Sequence, residues 1–262
     1  MAVDYEKKRH IVKLILNKPE SLNAFSKDML EELNAGFLRF REDEDAWVAI
    51  VTGSGRRAFS AGTDVKEIEK KFSQAKGDAF PLSLWDSFFH IDLQEGLEVY
   101  KPVIAAINGY CIGMGLTLAM ACDLRIAGES AKFAFTEVAI GVPPVVGAIR
   151  STQIMGLGNA LEMLLMGEMK DAAWAYRTGL VNKVVPDTTL EAEANVWAER
   201  LCQVGPLATR CTKEITLRSQ RMNFYDAVRM AEAMRRLVLS SEDTQEGLRA
   251  SREKRPPIYK GK

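Results

Sequence analysis

Two short apolar runs, WVAIVTGSG from Trp47 and VIAAING from Val103, constrain the fold of this chain more than any other feature. Neither shows the polar alternation of a strand with one wet face, and both close on glycine, the pattern of strands buried on two faces of a parallel sheet. Parallel strands need long crossovers. The segment LWDSFFHIDLQEGLEVY, from Leu84 to Tyr100, carries a helical aromatic pattern between them, so the order β-α-β-α-β predicts an α/β class. HIVKLILN alternates ahead of Lys18-Pro19-Glu20 and reads as an edge strand followed by a loop. Ser26 then reads as the N-cap of a helix whose Met29, Leu30, Leu33, Phe37 and Leu38 recur at helical spacing.

Beyond Val185-Pro186 no strand pattern remains, and helical patterns run from Leu190 to Cys202, Ala208 to Arg218 and Tyr225 to Leu239. This predicts a core domain over residues 1–187 and a helical domain over 188–262. The helical part has apolar positions on more than one face, which implies packing against sister subunits. The last residues of SEDTQEGLRASREKRPPIYKGK, with two prolines, predict an extended arm.

In the 262-residue chain Lys plus Arg equals Asp plus Glu at 35 each, so no overall field favours nucleic acid or a membrane surface. The N-terminal MAVDYEKKRHIVKLILNKPE has no apolar signal region, and no run approaches a membrane span. Cys111, Cys122, Cys202 and Cys211 lack metal-ligand spacing and read as reduced thiols of a cytoplasmic protein with neither metal nor redox cofactor. A small molecule is the expected partner.

Two glycine-centred turns, AFSAGTDVKEI and GYCIGMGLTLA, follow the buried strands. Each places free backbone N–H groups at the carboxyl end of a strand and the N-terminus of a helix, where unpaired donors and the helix dipole favour a negative oxygen. Side by side they would form an oxyanion hole. For either turn alone, the glycines equally serve a tight passage from strand to helix. AFSAG looks like a nucleophile elbow with alanine in front, but only His90 follows Ser60, with Asp64 and Asp86 between, which makes a poor triad. The second turn reads G-x-x-x-G-x-G, with Leu118 where the dinucleotide fingerprint needs its last glycine, and no phosphate-binding G-x-x-x-x-G-K occurs.

Six motifs occur in order along nearly the whole chain: NKPESLNAFS, AFSAGTDVKEI, KPVIAAINGYCIGMGLTLAMACDLRIA, AKFAFTEVAIGVPP, GLVNKVVP and SEDTQEGLRASREKRPPIYKGK. With them the sequence resembles the crotonase, or enoyl-CoA hydratase/isomerase, family. The resemblance implies a spiral ββα core with a C-terminal helical trimerisation domain and a trimer or dimer of trimers. It also implies an acyl-CoA thioester substrate, coenzyme A entering only as part of that substrate. Carried onto matching positions, it puts the oxyanion-hole N–H groups on Thr63 and Met114, the latter flanked by Gly113 and Gly115. It puts the segments that hug CoA on Asn23, Ala24 and Phe25 and on Ala61, Gly62, Asp64 and Val65, loop packing being the plainer alternative.

Family hydratases carry two glutamates. Here Thr117 stands at the first position, while Glu137 fills the second. Glu137 lies among Phe133, Phe135, Val138 and Ile140, surroundings that disfavour a charged carboxylate and raise its pKa, so it is the expected proton-transfer residue. A salt bridge to a neighbouring helix is its structural alternative. One carboxylate suffices to move a double bond, which makes isomerisation the leading expectation. Hydration or dehydration of an enoyl- or cyclic dienoyl-CoA by the same glutamate is the alternative, and a silent scaffold or RNA-binding member a weaker one. Trp85 and His90 in LWDSFFHIDL and Val145 in PPVVGAI are expected to wall the pocket. Asp123 is expected to anchor backbone N–H groups.

Overall fold

The computed structural model describes residues 1–64 and 98–262. The helical pattern expected from Leu84 lies outside them up to residue 97, and residues 98–100 are irregular. A six-stranded sheet has the order β1 (Val3–Lys8), β2 (Ile11–Leu16), β3 (Val48–Gly53), β5 (Val103–Ile107), β7 (Leu124–Gly128) and β10 (Lys183–Val185). All its pairings are parallel except β1 with β2. β2 is therefore an interior strand and not the edge that its alternation suggested. VDYEKK folds back through Arg9, at φ 52°, and places its own charged residues on the edge, where charge discourages further pairing.

The two apolar runs behave as strands buried on both faces. Ala49, Val51, Val103, Ala105 and Ile107 enter one core with α1 (Lys27–Glu42), whose Met29, Leu33, Phe37 and Phe40 form its buried stripe. Val48, Ile50, Ile104 and Ala106 enter the opposite core. Ser26 is the N-cap of α1 by position only: its hydroxyl donates to Asp28 Oδ1 and accepts from Lys18 Nζ at 2.7 Å.

Neither buried strand runs directly into its glycine turn, as the sequence suggested. Each is followed by a three-residue strand of a second sheet, of order β4 (Ala58–Ser60), β6 (Tyr110–Ile112), β8 (Lys132–Ala134) and β9 (Lys170–Asp171). These short strands bring both turns together. β6 leads into α2 (Met114–Ala121), and α3 (Val146–Met155), α4 (Leu157–Met166) and α5 (Ala172–Arg177) follow β8 or β9.

After β10 the described chain is helical: α6 (Leu190–Cys202), α7 (Pro206–Ser219), α8 (Phe224–Leu239) and α9 (Glu242–Glu253). α6 covers the second face of the large sheet through Leu190, Ala194 and Ala198. α7 is tied to the core by Lys213, whose Nζ donates to Asp123 Oδ2 at 2.7 Å, the same oxygen that accepts the Val103 N–H at 2.8 Å. α8 exposes Phe224, Tyr225 and Leu237 by 75%, 77% and 75%. The C-terminal arm folds back onto α9, with the Lys260 and Gly261 N–H groups on the Asp243 carboxylate and the Ile258 N–H on Glu246. No described helix is long and apolar enough to cross a membrane.

Candidate active site

The two glycine turns meet at the ends of β4 and β6. Gly62, at φ +92°, passes so close to the second turn that a Cβ there would stand 3.0 Å from the Ile112 carbonyl oxygen and 3.5 Å from the Met114 nitrogen. Gly113, at φ 54° and ψ −119°, opens α2 as its N-cap. Both conformations favour glycine. The Thr63 hydroxyl lies 3.7 Å from Met114 Sδ, so the residues carrying the two expected donors are neighbours.

The direction of each donor follows from the carbonyl across its own peptide bond, because a trans peptide holds C=O and N–H planar and opposed. The Gly62 carbonyl accepts the Phe25 N–H at 2.7 Å, which turns the Thr63 N–H away from the loop that holds Phe25. The Gly113 carbonyl accepts the Thr117 N–H at 2.9 Å and the Thr117 hydroxyl at 3.3 Å, which turns the Met114 N–H out of the start of α2. Neither N–H has a hydrogen-bond partner among the described residues. Two main-chain donors thus stand at the mouth of one helix, where its dipole adds to their pull on an anion.

Glu137 begins a single 3-10 turn, Glu137–Ile140, just beyond β8. A Cβ on Gly113 would lie 2.9 Å from Glu137 Oε1, so the carboxyl abuts the residue preceding the second donor. Its Oε2 is buried and has no hydrogen-bond partner, and Glu137 has no ion pair, among the described residues. Burial pushes its pKa above the ordinary carboxylate value, against a smaller opposing pull from a backbone hydrogen bond.

Thr117, one helical turn into α2, spends its hydroxyl on Gly113. The segment after Pro144 reaches this region through a residue the sequence reading missed, Gly147, where a Cβ would meet Phe135 at 2.4 Å and Thr117 Oγ1 at 2.9 Å. Val145 stands 42% exposed at the start of α3. Asn23 is fully buried, and its amide donates to the Ser54 and Ala58 carbonyls and accepts the Lys18 N–H. The Phe25 side chain is in the core, while its main chain pairs with the first turn and accepts the Asp64 N–H at 3.0 Å. Ala24 and Ala61 are half-buried, the Ala61 N–H donating to the Leu22 carbonyl at 3.0 Å. Val65, Trp85 and His90 lie outside the described residues. Among the described residues no group of three or more His, Cys, Asp or Glu side chains could hold a metal ion.

The sequence model of the enoyl-CoA hydratase/isomerase family matches residues 6–262. The chain belongs to that family.

As a family member it is 36% identical to a probable mitochondrial enoyl-CoA hydratase of Dictyostelium discoideum, over 98% of this chain and 90% of that one. It is 33% identical to the (E)-benzylidenesuccinyl-CoA hydratase of Thauera aromatica, over 100% of both chains. The crystal structure of an enoyl-CoA hydratase from Bacillus anthracis, 33% identical, superposes with a TM-score of 0.91 over 100% of each chain. The fold is the crotonase fold, and the protein is an enzyme of the enoyl-CoA hydratase/isomerase type that acts on acyl-CoA thioesters.

Proposed function

We propose that this enzyme moves the double bond of an enoyl-CoA thioester, with Glu137 as its single acid-base group. The thioester oxygen accepts from the Thr63 and Met114 N–H groups, and the negative charge that grows on it as C2 or C4 loses a proton is stabilised by both. A single donor of this kind contributes about 3 kcal/mol to the transition state. Glu137 takes the proton at one end of the dienolate and returns it at the other. The step needs no group beyond that carboxyl and those amides. The observation that carries this reading is the Glu137 carboxyl beside Gly113, its buried Oε2 without a partner among the described residues, with a back-bonded Thr117 and no carboxylate one turn into α2.

A second reading, hydration or dehydration by the same carboxyl, is favoured by the hydratase names of the relatives. Incubation with 3-enoyl-, 2-enoyl- and cyclic dienoyl-CoA thioesters, with products resolved by mass, separates the two. An isomer of unchanged mass supports isomerisation; a gain or loss of one water as the main product refutes it.

The exposed Phe224, Tyr225 and Leu237 of α8 support assembly into a trimer or a dimer of trimers. Sedimentation as a monomer at micromolar concentration would refute that assembly.

A further inference from the structure

We propose that Ser60 is a positioning residue that fixes the distance and angle between the two N–H donors, an inference that rests on the Thr63 and Met114 oxyanion hole proposed above. Ser60 is the last residue of β4 and is fully buried. Its Oγ accepts the Gly62 N–H at 3.2 Å. That bond fixes the peptide plane before Gly62, and the Phe25 N–H on the Gly62 carbonyl fixes the plane after it. Both dihedrals of the most permissive residue type are thereby held from outside, and the Thr63 N–H inherits the result.

The other side of Ser60 rests on the first turn of α2. A Cβ on Gly115 would meet the Ser60 carbonyl oxygen at 2.6 Å, its Cβ at 2.7 Å and its Oγ at 3.0 Å, so this helix lies on Ser60 at a distance only glycine permits. Gly115 follows Met114 directly. One side chain therefore clamps the turn that carries one donor and seats the helix that carries the other. The same burial keeps Ser60 away from substrate, which leaves it no part as a nucleophile.

The test compares wild type with Ser60→Ala and Ser60→Cys, using 4-(dimethylamino)cinnamoyl-CoA, whose absorption moves to longer wavelength as its carbonyl is polarised. Wild type is expected to shift the band. Ser60→Ala is expected to lose about half of that shift and to lower kcat about tenfold, with KM within about twofold, because the lost contact orients charge stabilisation in the transition state. Ser60→Cys, with a weaker acceptor at similar volume, is expected to fall between the two and serves if the alanine variant does not fold.

A Ser60→Ala protein with the full shift and wild-type kcat, or with a lower Tm as its sole defect, overturns the positioning role while leaving the oxyanion hole intact. No shift even in wild type overturns the hole itself and the positioning role with it.

Discussion

Gly113→Ala probes the point at which one donor turn touches Glu137, the proposed acid-base group. At φ 54° and ψ −119° an alanine is strained, by about 1–3 kcal/mol for a residue outside its allowed regions. Its Cβ would also lie 2.9 Å from Glu137 Oε1 and 3.4 Å from Cδ, so the carboxyl must move. The strain should lower Tm, by about 2–4 °C for each kcal/mol in a chain of this size. Displacing the Met114 N–H and Glu137 together should lower kcat by about a hundredfold or more, the loss typical of one oxyanion donor.

Gly156→Ala is the control. Gly156 has φ 74° and ψ 161°, and a Cβ there would meet nothing within 4 Å. It should show a comparable loss of Tm with kcat unchanged. Turnover of the preferred enoyl-CoA with thermal melting of both variants decides the matter. A Gly113→Ala enzyme whose kcat stays within about threefold of wild type, at the same loss of Tm as the control, would refute the coupling of donor and carboxyl.

Three further residues, Glu137, Asp123 and Glu246, give tests from the same structure. Glu137→Gln should lower kcat/KM about 10²- to 10⁴-fold, and wild-type kcat/KM should rise with pH through a midpoint above the ordinary carboxylate range, because the base must be ionised and burial raises its pKa. The same raised pKa makes the native state hold its proton longer than the unfolded one, so ionisation of Glu137 opposes folding as pH rises through this range; Glu137→Gln should melt about 1–3 °C higher at neutral pH, measured by calorimetry. Asp123→Asn weakens the tie that joins Val103 to Lys213 and should cost about 1–3 kcal/mol in urea unfolding. Arg255 and Arg249 hold the Glu246 carboxyl far below its usual value, so its contribution is present at neutral pH and lost as pH falls through the lowered pKa; Glu246→Gln should lower Tm at neutral pH, with the gap to wild type closing in strong acid.

The sequence carries the frame of the fold, because WVAIVTG and VIAAI leave no wet face and admit little but a doubly covered parallel sheet. It hides the short strands β4 and β6, since three residues carry no readable period. It also hides the interior place of β2, whose alternation looks like an edge although charged β1 takes that role. At the site, Glu137 is legible by its apolar neighbours and by the family motifs. The orientation of the Thr63 and Met114 N–H groups is not, since it depends on which distant groups take the Gly62 and Gly113 carbonyls. Ser60 reads along the chain as a failed nucleophile; the pattern S-A-G, a hydroxyl two residues before a glycine N–H, is the only trace of its contact. Gly147 has no sequence signal beyond its place after two valines.

The amides of Thr63 and Met114 belong to positions whose side chains can be exchanged without removing them. An alanine scan of this enzyme would therefore pass silently over the two donors proposed above and register damage at neighbours such as Gly62 and Gly113. On the proposed reading, side-chain drift at residues 63 and 114 leaves both main-chain donors in place, so the surface around them can change without removing the pair.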